Sequence, residues 1–348
     1  MTEPAFDAEA HEAQLRAEAD SWDTSAPVPA TEDDIPTIDV EAWFTTGDRA
    51  ALDEVASQLA SASAEVGFFQ LVGHGVPDEQ IEGILDATRR FHDLPVDLRR
   101  TIEMDRPDWP LGGVGYLPLG ERKLPRRARG NLNEAFLMKS AEDIDPDDNQ
   151  WLTEADAPGF RATVEAWGAT MEALALRLVP VYAVALGLDE HFFDDAFVDP
   201  FWRLRLSHYP GDPADDVGDG PTLPDGDARA FGIAPHVDTT FFTLLLQEQP
   251  GLYVYSHRRD RWLVAPATPG AFMVNSGELL RQWSNDHVRS TRHFAANTSA
   301  ASRYSVPFFF NANADHVMHP LPTCHGPDDP PKYPPFSYRT SQATAQGE

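Results

Sequence analysis

The amino-acid sequence predicts a mainly β protein with flanking helices. From Phe201 onward, short β-rich runs alternate with turns: WRLRLSHYP, TTFFTLLLQ, GLYVYS, RWLVAP, GAFMVNSG, STRHFAA and RYSVPFFFN. Several short strands at such spacing indicate a sandwich or a barrel. Before Phe201, apolar residues recur at helical spacing in three long stretches, which supplies the flanking helices. With 42% hydrophobic residues, 20 Phe and 8 Trp among 348 residues, the chain has enough apolar material for a sizeable core.

Residues 1–33, rich in Ala, Glu and Asp, read as an acidic N-terminal tail. An N-terminal α/β portion is expected over 34–150. IPTIDVEAW opens it as a strand, and 48–66 follows as a helix with Asp48 as a plausible N-cap. GFFQLVGHGV is the next strand, its His74 a structural residue in a glycine-flanked turn, and Pro77 starts another helix. Residues 105–150 read as long loops around NLNEAFLM. Residues 151–338 are expected to hold a helical segment, kinked or split at Pro180, and the β-rich catalytic core. Residues 339–348 read as a disordered tail, and the whole as one compact catalytic unit.

The balance of 56 acidic against 27 basic residues gives a formal charge of −29. Such a surface repels phosphate backbones and anionic headgroups, so neither nucleic acid nor membrane is an expected partner. No run is read as approaching the roughly 18 apolar residues of a membrane span. A single cysteine, Cys324, excludes an internal disulfide and a thiolate metal cluster. With no apolar stretch of signal-peptide length near Met1, a cytoplasmic location is expected. No obligate protein partner is evident.

The chemistry sits in APHVDTTFFTLLLQ. Residues i and i+2 of a strand face the same side, so His236 and Asp238 can address one point in space. STRHFAA offers His293 as a third ligand. Two imidazoles and one carboxylate on one face of an ion leave the opposite positions open, the donor pattern of non-haem Fe(II) oxygenases. Any one of these residues alone has a bland explanation; their order and spacing within β-rich sequence set them apart. Ten residues after His293, Arg303 and Ser305 again share one strand face. A guanidinium beside a hydroxyl makes a good carboxylate clamp. RLRLSHYP places Arg205, Ser207 and Tyr209 on a common face, with His208 turned away. Phe241, Phe242 and the leucines after them read as core, Trp283 and Asn285 as packing and turn residues. Asp286 and His287 form an exposed turn pair with no expected ligand.

PHVDTTFFTLLLQ, NSGELLRQWSNDHVRSTRHFA and RYSVPFFFNANAD resemble the catalytic half of the isopenicillin N synthase-like family of Fe(II)/2-oxoglutarate-dependent dioxygenases. IPTIDVEAW, EVGFFQLVGHGV and GGVGYLPLG resemble its N-terminal half. The resemblance spans roughly residues 35–338. It implies a double-stranded β-helix, or jelly roll, with helices outside and the site in its mouth. By position it implies His236, Asp238 and His293 as iron ligands. Arg303 and Ser305 would hold the far carboxylate of 2-oxoglutarate, with Tyr209 and Ser207 beside it; relatives often carry asparagine where Ser207 stands.

The implied reaction uses Fe(II), 2-oxoglutarate and O2 to oxidise an unactivated C–H of a small molecule, by hydroxylation, desaturation or cyclisation, releasing succinate and CO2. Two rivals remain at this point: a same-fold iron oxidase that does not use 2-oxoglutarate, and a non-catalytic jelly-roll binding module. Succinate formation on adding 2-oxoglutarate and Fe(II) discriminates against the first, and anaerobic Fe(II) titration in the presence of 2-oxoglutarate against the second. Arg205, Tyr116 and Arg127 are the candidate substrate residues. Arg127 belongs to ERKLPRRARG, which reads either as a solvated charge run or as a positive lip for an anionic substrate.

Overall fold

The computed structural model describes residues 27–108, 112–121, 131–140, 148–211, 231–297 and 299–340. In chain order the strands are β1 (Val28–Pro29), β2 (Thr37–Asp39), β3 (Phe68–Val72), β4 (Gly115–Leu117), β5 (Glu134–Lys139), β6 (Phe201–Tyr209), β7 (Ile233–His236), β8 (Phe242–Gln247), β9 (Leu252–Ser256), β10 (Arg261–Val264), β11 (Phe272–Ser276), β12 (His293–Ala295) and β13 (Arg303–Asn311). They form two sheets. One has five strands in the order β1-β10-β9-β12-β7, the other eight in the order β2-β3-β11-β8-β13-β6-β5-β4.

The larger sheet has two different faces. Leu204, Leu206, Leu244, Val306 and Phe308 point one way. They join Leu59, Phe91, Leu174 and Leu178 of the helices Arg49–Glu65, Asp78–Asp93 and Phe160–Ala185 in the main core. The other face looks toward the smaller sheet, where Leu245 and Met273 meet Leu252 and Val254. Burying each such side chain contributes about 1.5–3 kcal/mol. A one-residue slip of β6 would drive Arg205 and Ser207 into the helical core, so burial pins the register. That register sets Arg303 opposite Tyr209 and Ser305 opposite Ser207.

Several expectations need correction. Helical content is comparable to strand content, so "mainly β" understates the helices. The two sheets are separately hydrogen-bonded, and no closed barrel forms among the described residues. Pro180 does not split its helix, which runs unbroken over Phe160–Ala185. Proline at 180 removes the bond to the carbonyl of Leu176, and Leu176 is exposed, so solvent can take that bond. The same helix is, by length and composition alone, apolar enough to cross a membrane. Half of that apolar window is buried within the protein.

The boundary read at residue 33 also shifts. β1 pairs in parallel with β10, and the buried Asp34 carboxylate meets Arg258 and Arg259 at 2.9 Å each. Residues 28–33 are thus tied to the smaller sheet. At the other end, Arg339 pairs with Asp315 at 2.6 Å. Residues 1–26 and 341–348 lie outside the described residues.

Candidate active site

Strands β7 and β12 pair antiparallel with His293 directly opposite His236, and the two ring centroids lie 4.4 Å apart. β7 ends at His236, so Asp238 is delivered by the turn just beyond it and not by the strand itself. Asp238 Oδ1 lies 3.6 Å from His236 Nε2 and 3.7 Å from His293 Nε2. Nitrogen and oxygen donors of all three lie within 4.8 Å of one another.

The surroundings decide which atoms face that centre. His236 Nδ1 lies 2.8 Å from the Ala234 carbonyl and His293 Nδ1 3.1 Å from the Thr291 carbonyl. A carbonyl only accepts, so each Nδ1–H donates and each Nε2 lone pair turns to the centre. Asp238 Oδ2 accepts from Thr243 Oγ1 at 2.7 Å and Asn275 Nδ2 at 2.8 Å, which leaves Oδ1 inward. Burial pushes the Asp238 carboxyl up, but His293, His236 and Asn275 together outweigh it and hold it below the ordinary range. Burial, with His236 nearby, pulls His293 down to about 4, so its imidazole is neutral near pH 7. Both groups are in the protonation state a metal requires.

The same small cavity extends to Tyr209, Arg303 and Ser305. Arg303 is 1% exposed. Its Nη2 donates to Gln247 Oε1 at 2.9 Å and its Nε to the Gln249 carbonyl at 3.3 Å, while its guanidinium lies 4.7 Å from the Tyr209 ring centroid. Among the described residues its buried Nη1 has no hydrogen-bond partner, nor has the buried hydroxyl of Ser207. Gly251 makes room for this side chain: a Cβ there would stand 2.4 Å from Arg303 Nε. Cavity size does not locate the site. A larger one, about 350 Å³, lies among Leu59, Tyr182 and Cys324 and gathers no comparable set of converging donors.

The remaining sequence candidates separate. Arg205 is buried on the pocket-facing side of β6. With the Asn133 amide oxygen turned toward it, Arg205 Nη2 donates at 2.5 Å. Tyr116 is a correction: its register partner is Phe136, on the helix side of the sheet, where its hydroxyl donates to Glu134. It faces away from the cavity, because alternation along β4 puts Leu117 on the pocket side instead. Arg127 and its basic run lie outside the described residues. His208 faces away from the cavity, as its alternation with Ser207 and Tyr209 requires. His74 bonds the Gly270 carbonyl at 2.6 Å.

Glu134 centres a second cluster of histidine and carboxylate. Its Oε1 accepts from His208 Nδ1 at 2.7 Å, and its Oε2 from Arg99 Nη1 at 2.5 Å and from Tyr116. His92 Nε2 donates to the Leu206 carbonyl at 3.1 Å, and its Nδ1 accepts from Arg99 at 3.4 Å. Burial raises the Glu134 carboxyl, but its bonds from His208 and Tyr116, with His92 close by, outweigh that and hold it far below the carboxylate range. Every donor here has a partner, and the Arg99 cation would repel a metal ion. Sequence reading missed this network, as it missed Thr243, Asn275, Gln247 and Gly251. Their one signal was local: each lies in or next to a strand already assigned to the core.

Two imidazoles and a carboxylate with converging free donors, beside a buried cation on a two-sheet scaffold, are the marks of a non-haem Fe(II) oxygenase site. Residues 203–312 match the 2OG-Fe(II) oxygenase superfamily, and residues 35–155 match the N-terminal region described as non-haem dioxygenase in morphine synthesis. The chain is 32% identical over 316 residues to the 2-oxoglutarate-Fe(II) type oxidoreductase hxnY of Emericella nidulans, covering 87% of this chain and 86% of that one. It is 31% identical over 307 residues to homoarginine-6-hydroxylase 2-ODD-C23 of Glycine max, covering 83% and 88%. Its fold is similar to that of a full-length Neurospora crassa protein solved in complex with alpha-KG, with a TM-score of 0.76, 24% identity and coverage of 93% and 99%. This chain belongs to the 2OG-Fe(II) oxygenase superfamily. It is an Fe(II)- and 2-oxoglutarate-dependent oxygenase.

Proposed function

We propose that His236, Asp238 and His293 hold the Fe(II), and that Arg303 with Ser305, Tyr209 and Ser207 holds 2-oxoglutarate. In this reading the enzyme oxidises an unactivated C–H of an anionic small molecule. The carrying observation is the inward pair of Nε2 lone pairs facing Asp238 Oδ1, each fixed by a bond on its far side. Two imidazoles and one hard oxygen suit Fe(II). The unpartnered Arg303 Nη1 and Ser207 hydroxyl fit the carboxylate of a bound acid.

Bound Fe(II) couples decarboxylation of 2-oxoglutarate to succinate and CO2 with oxidation of the substrate by O2. The residues' own tasks are simpler. Thr243 and Asn275 fix which Asp238 oxygen points inward. Gln247 and the Gln249 carbonyl aim the Arg303 fork. Leu245, Leu252 and Phe309 keep the cavity walls apolar, which strengthens the charge–charge contacts inside. Arg205, on the same sheet face, is our candidate contact for a substrate anion. That homoarginine is the substrate of one relative, by its name, agrees with a small molecule here. We read the two facing sheets as a double-stranded β-helix and residues 34–338 as one catalytic unit.

The test is a panel screen of small organic acids and their amides for substrate-stimulated succinate release with Fe(II) and 2-oxoglutarate. Release stimulated by an acid and not by its amide supports the proposal. Stimulation by neutral compounds alone refutes the anionic class.

A further inference from the structure

The pocket-facing side of β5 and β6 carries a second basic feature, remote from Arg303. Register sets Lys139 opposite Arg203 on one side, and Arg203 opposite Phe309 on the other. Phe309 lines the cavity that contains His236, Asp238 and Arg303. Both cations are half-buried. Arg203 Nε is buried without a hydrogen-bond partner among the described residues, and the guanidinium lies over rings, 5.2 Å from the Phe201 centroid and 5.9 Å from that of Tyr338. Lys139 Nζ donates to the Gly112 carbonyl at 2.5 Å and forms no ion pair among the described residues. Burial and the charge of Arg203 pull Lys139 down to about 8, against a smaller opposing pull from Asp105.

Two adjacent, partly desolvated cations with no bonded carboxylate among the described residues repel one another, and an anion between them relieves the cost. The occupant is not 2-oxoglutarate. From Arg303 to the position opposite Arg203 is six residues of β13, about 20 Å of strand. A five-carbon acid held by Arg303 cannot reach that far.

We propose that Arg203 and Lys139 form a clamp for an anionic oxygen group, a carboxylate or a phosphate, on the substrate end remote from the oxidised carbon. The proposal deepens the reading above, and rests on it, by giving the substrate's anion a place. Arg203 supplies a planar two-pronged donor and Lys139 a compact ammonium, a pairing suited to one tetrahedral or trigonal anion. Arg205, one step along the strand face and about 7 Å nearer Arg303, is left as a second contact for the same molecule.

The experiment uses the full chain loaded with redox-inert Mn(II) and 2-oxoglutarate, titrated calorimetrically with hexanoate, hexyl phosphate and hexanamide. The parent is expected to bind one of the two acids about tenfold more tightly than the amide, the loss expected for a charged contact. The tighter acid identifies the anion as carboxylate or phosphate. Arg203→Gln with Lys139→Gln should erase that preference, and Arg203→Lys should keep most of it. Affinity for 2-oxoglutarate should hold in all variants and serves as the check on folding; Lys139→Gln alone should lose part of the preference. Equal binding of acid and amide by the parent, no binding of either acid, or a preference surviving in the double variant overturns the clamp. A parent that takes up no 2-oxoglutarate yet prefers the acid would instead overturn the co-substrate reading and leave the clamp standing.

Discussion

Among the described residues the protein has two clusters of two histidines and one carboxylate, and they behave in opposite ways. In His236–Asp238–His293 every hydrogen bond is made on the far side, so three free donors converge. In His92–Glu134–His208 the carboxylate itself accepts from His208, Arg99 and Tyr116, and Arg99 supplies the charge that a metal would otherwise bring. Residue type and spacing in space are alike in both; the direction of the second bond on each group separates a ligand set from an ionic strut. Strand β6 carries both sides of the contrast, with Ser207 facing the cavity and His208 facing Glu134.

That contrast can be broken from either side. Asp238→Ala should abolish Mn(II) binding and 2-oxoglutarate turnover while changing the melting temperature little, since the loss opens the cavity mouth and not the apolar core. Retained metal affinity, read by electron paramagnetic resonance, would remove Asp238 from the ligand set. Glu134→Gln should do the reverse. It leaves the Arg99 charge buried without its counter-charge, at a cost of about 3–5 kcal/mol in denaturant unfolding, with metal stoichiometry unchanged. A second metal equivalent lost in that variant would mean the back cluster binds metal after all.

Acid should expose the same strut. The folded Glu134 carboxyl is held below its unfolded value, so its stabilisation is complete above the unfolded pKa of about 4.3 and is lost as pH falls below it. His92, held neutral by burial, acts in the same direction below its ordinary value. The melting temperature of the parent should therefore fall more steeply than that of Glu134→Gln between pH 5 and pH 3, about one unit either side of the carboxyl midpoint. Parallel slopes would deny Glu134 its charge.

Arg303→Ala should weaken 2-oxoglutarate binding by about 2–5 kcal/mol, and Arg303→Lys should restore only part, because an ammonium lacks the fork. Unchanged affinity in both variants would send the co-substrate elsewhere. The smallest effect is expected at Tyr116. Replacement by Phe removes one hydrogen bond to Glu134, about 1–3 kcal/mol of stability, and should leave turnover untouched. A change in substrate KM would return Tyr116 to the pocket.

How far these features were legible in the sequence follows from how local they are. His236, Asp238, His293, Arg303 and Ser305 stand in short motifs whose i, i+2 spacing reads directly as one face. Tyr116 was misread because GGVGYLPLG was placed among long loops, and face assignment needs the strand Gly115–Leu117 and its register with Phe136. Glu134, Arg99, His92 and His208 come from four separate elements. No periodicity links them; only the packing of the helix Asp78–Asp93 onto β6 brings them together. Pro180 was given its usual weight as a breaker, yet its helix runs unbroken over Phe160–Ala185. There tertiary burial on both sides outweighs a single lost bond.

The tether at the start of the described chain bears on where the molecule can be cut. The superfamily match begins at residue 35, which invites a chain shortened to that point. Such a chain would lack β1 and Asp34. It would lay bare the outer edge of β10, where Leu263 and Val264 now pair with Val28 and Pro29, and strand two arginines at a vacated carboxylate. An uncovered sheet edge is a template for pairing with other copies. The boundary of sequence similarity and the boundary of a soluble folding unit therefore differ here by about one strand, and truncation should respect the second.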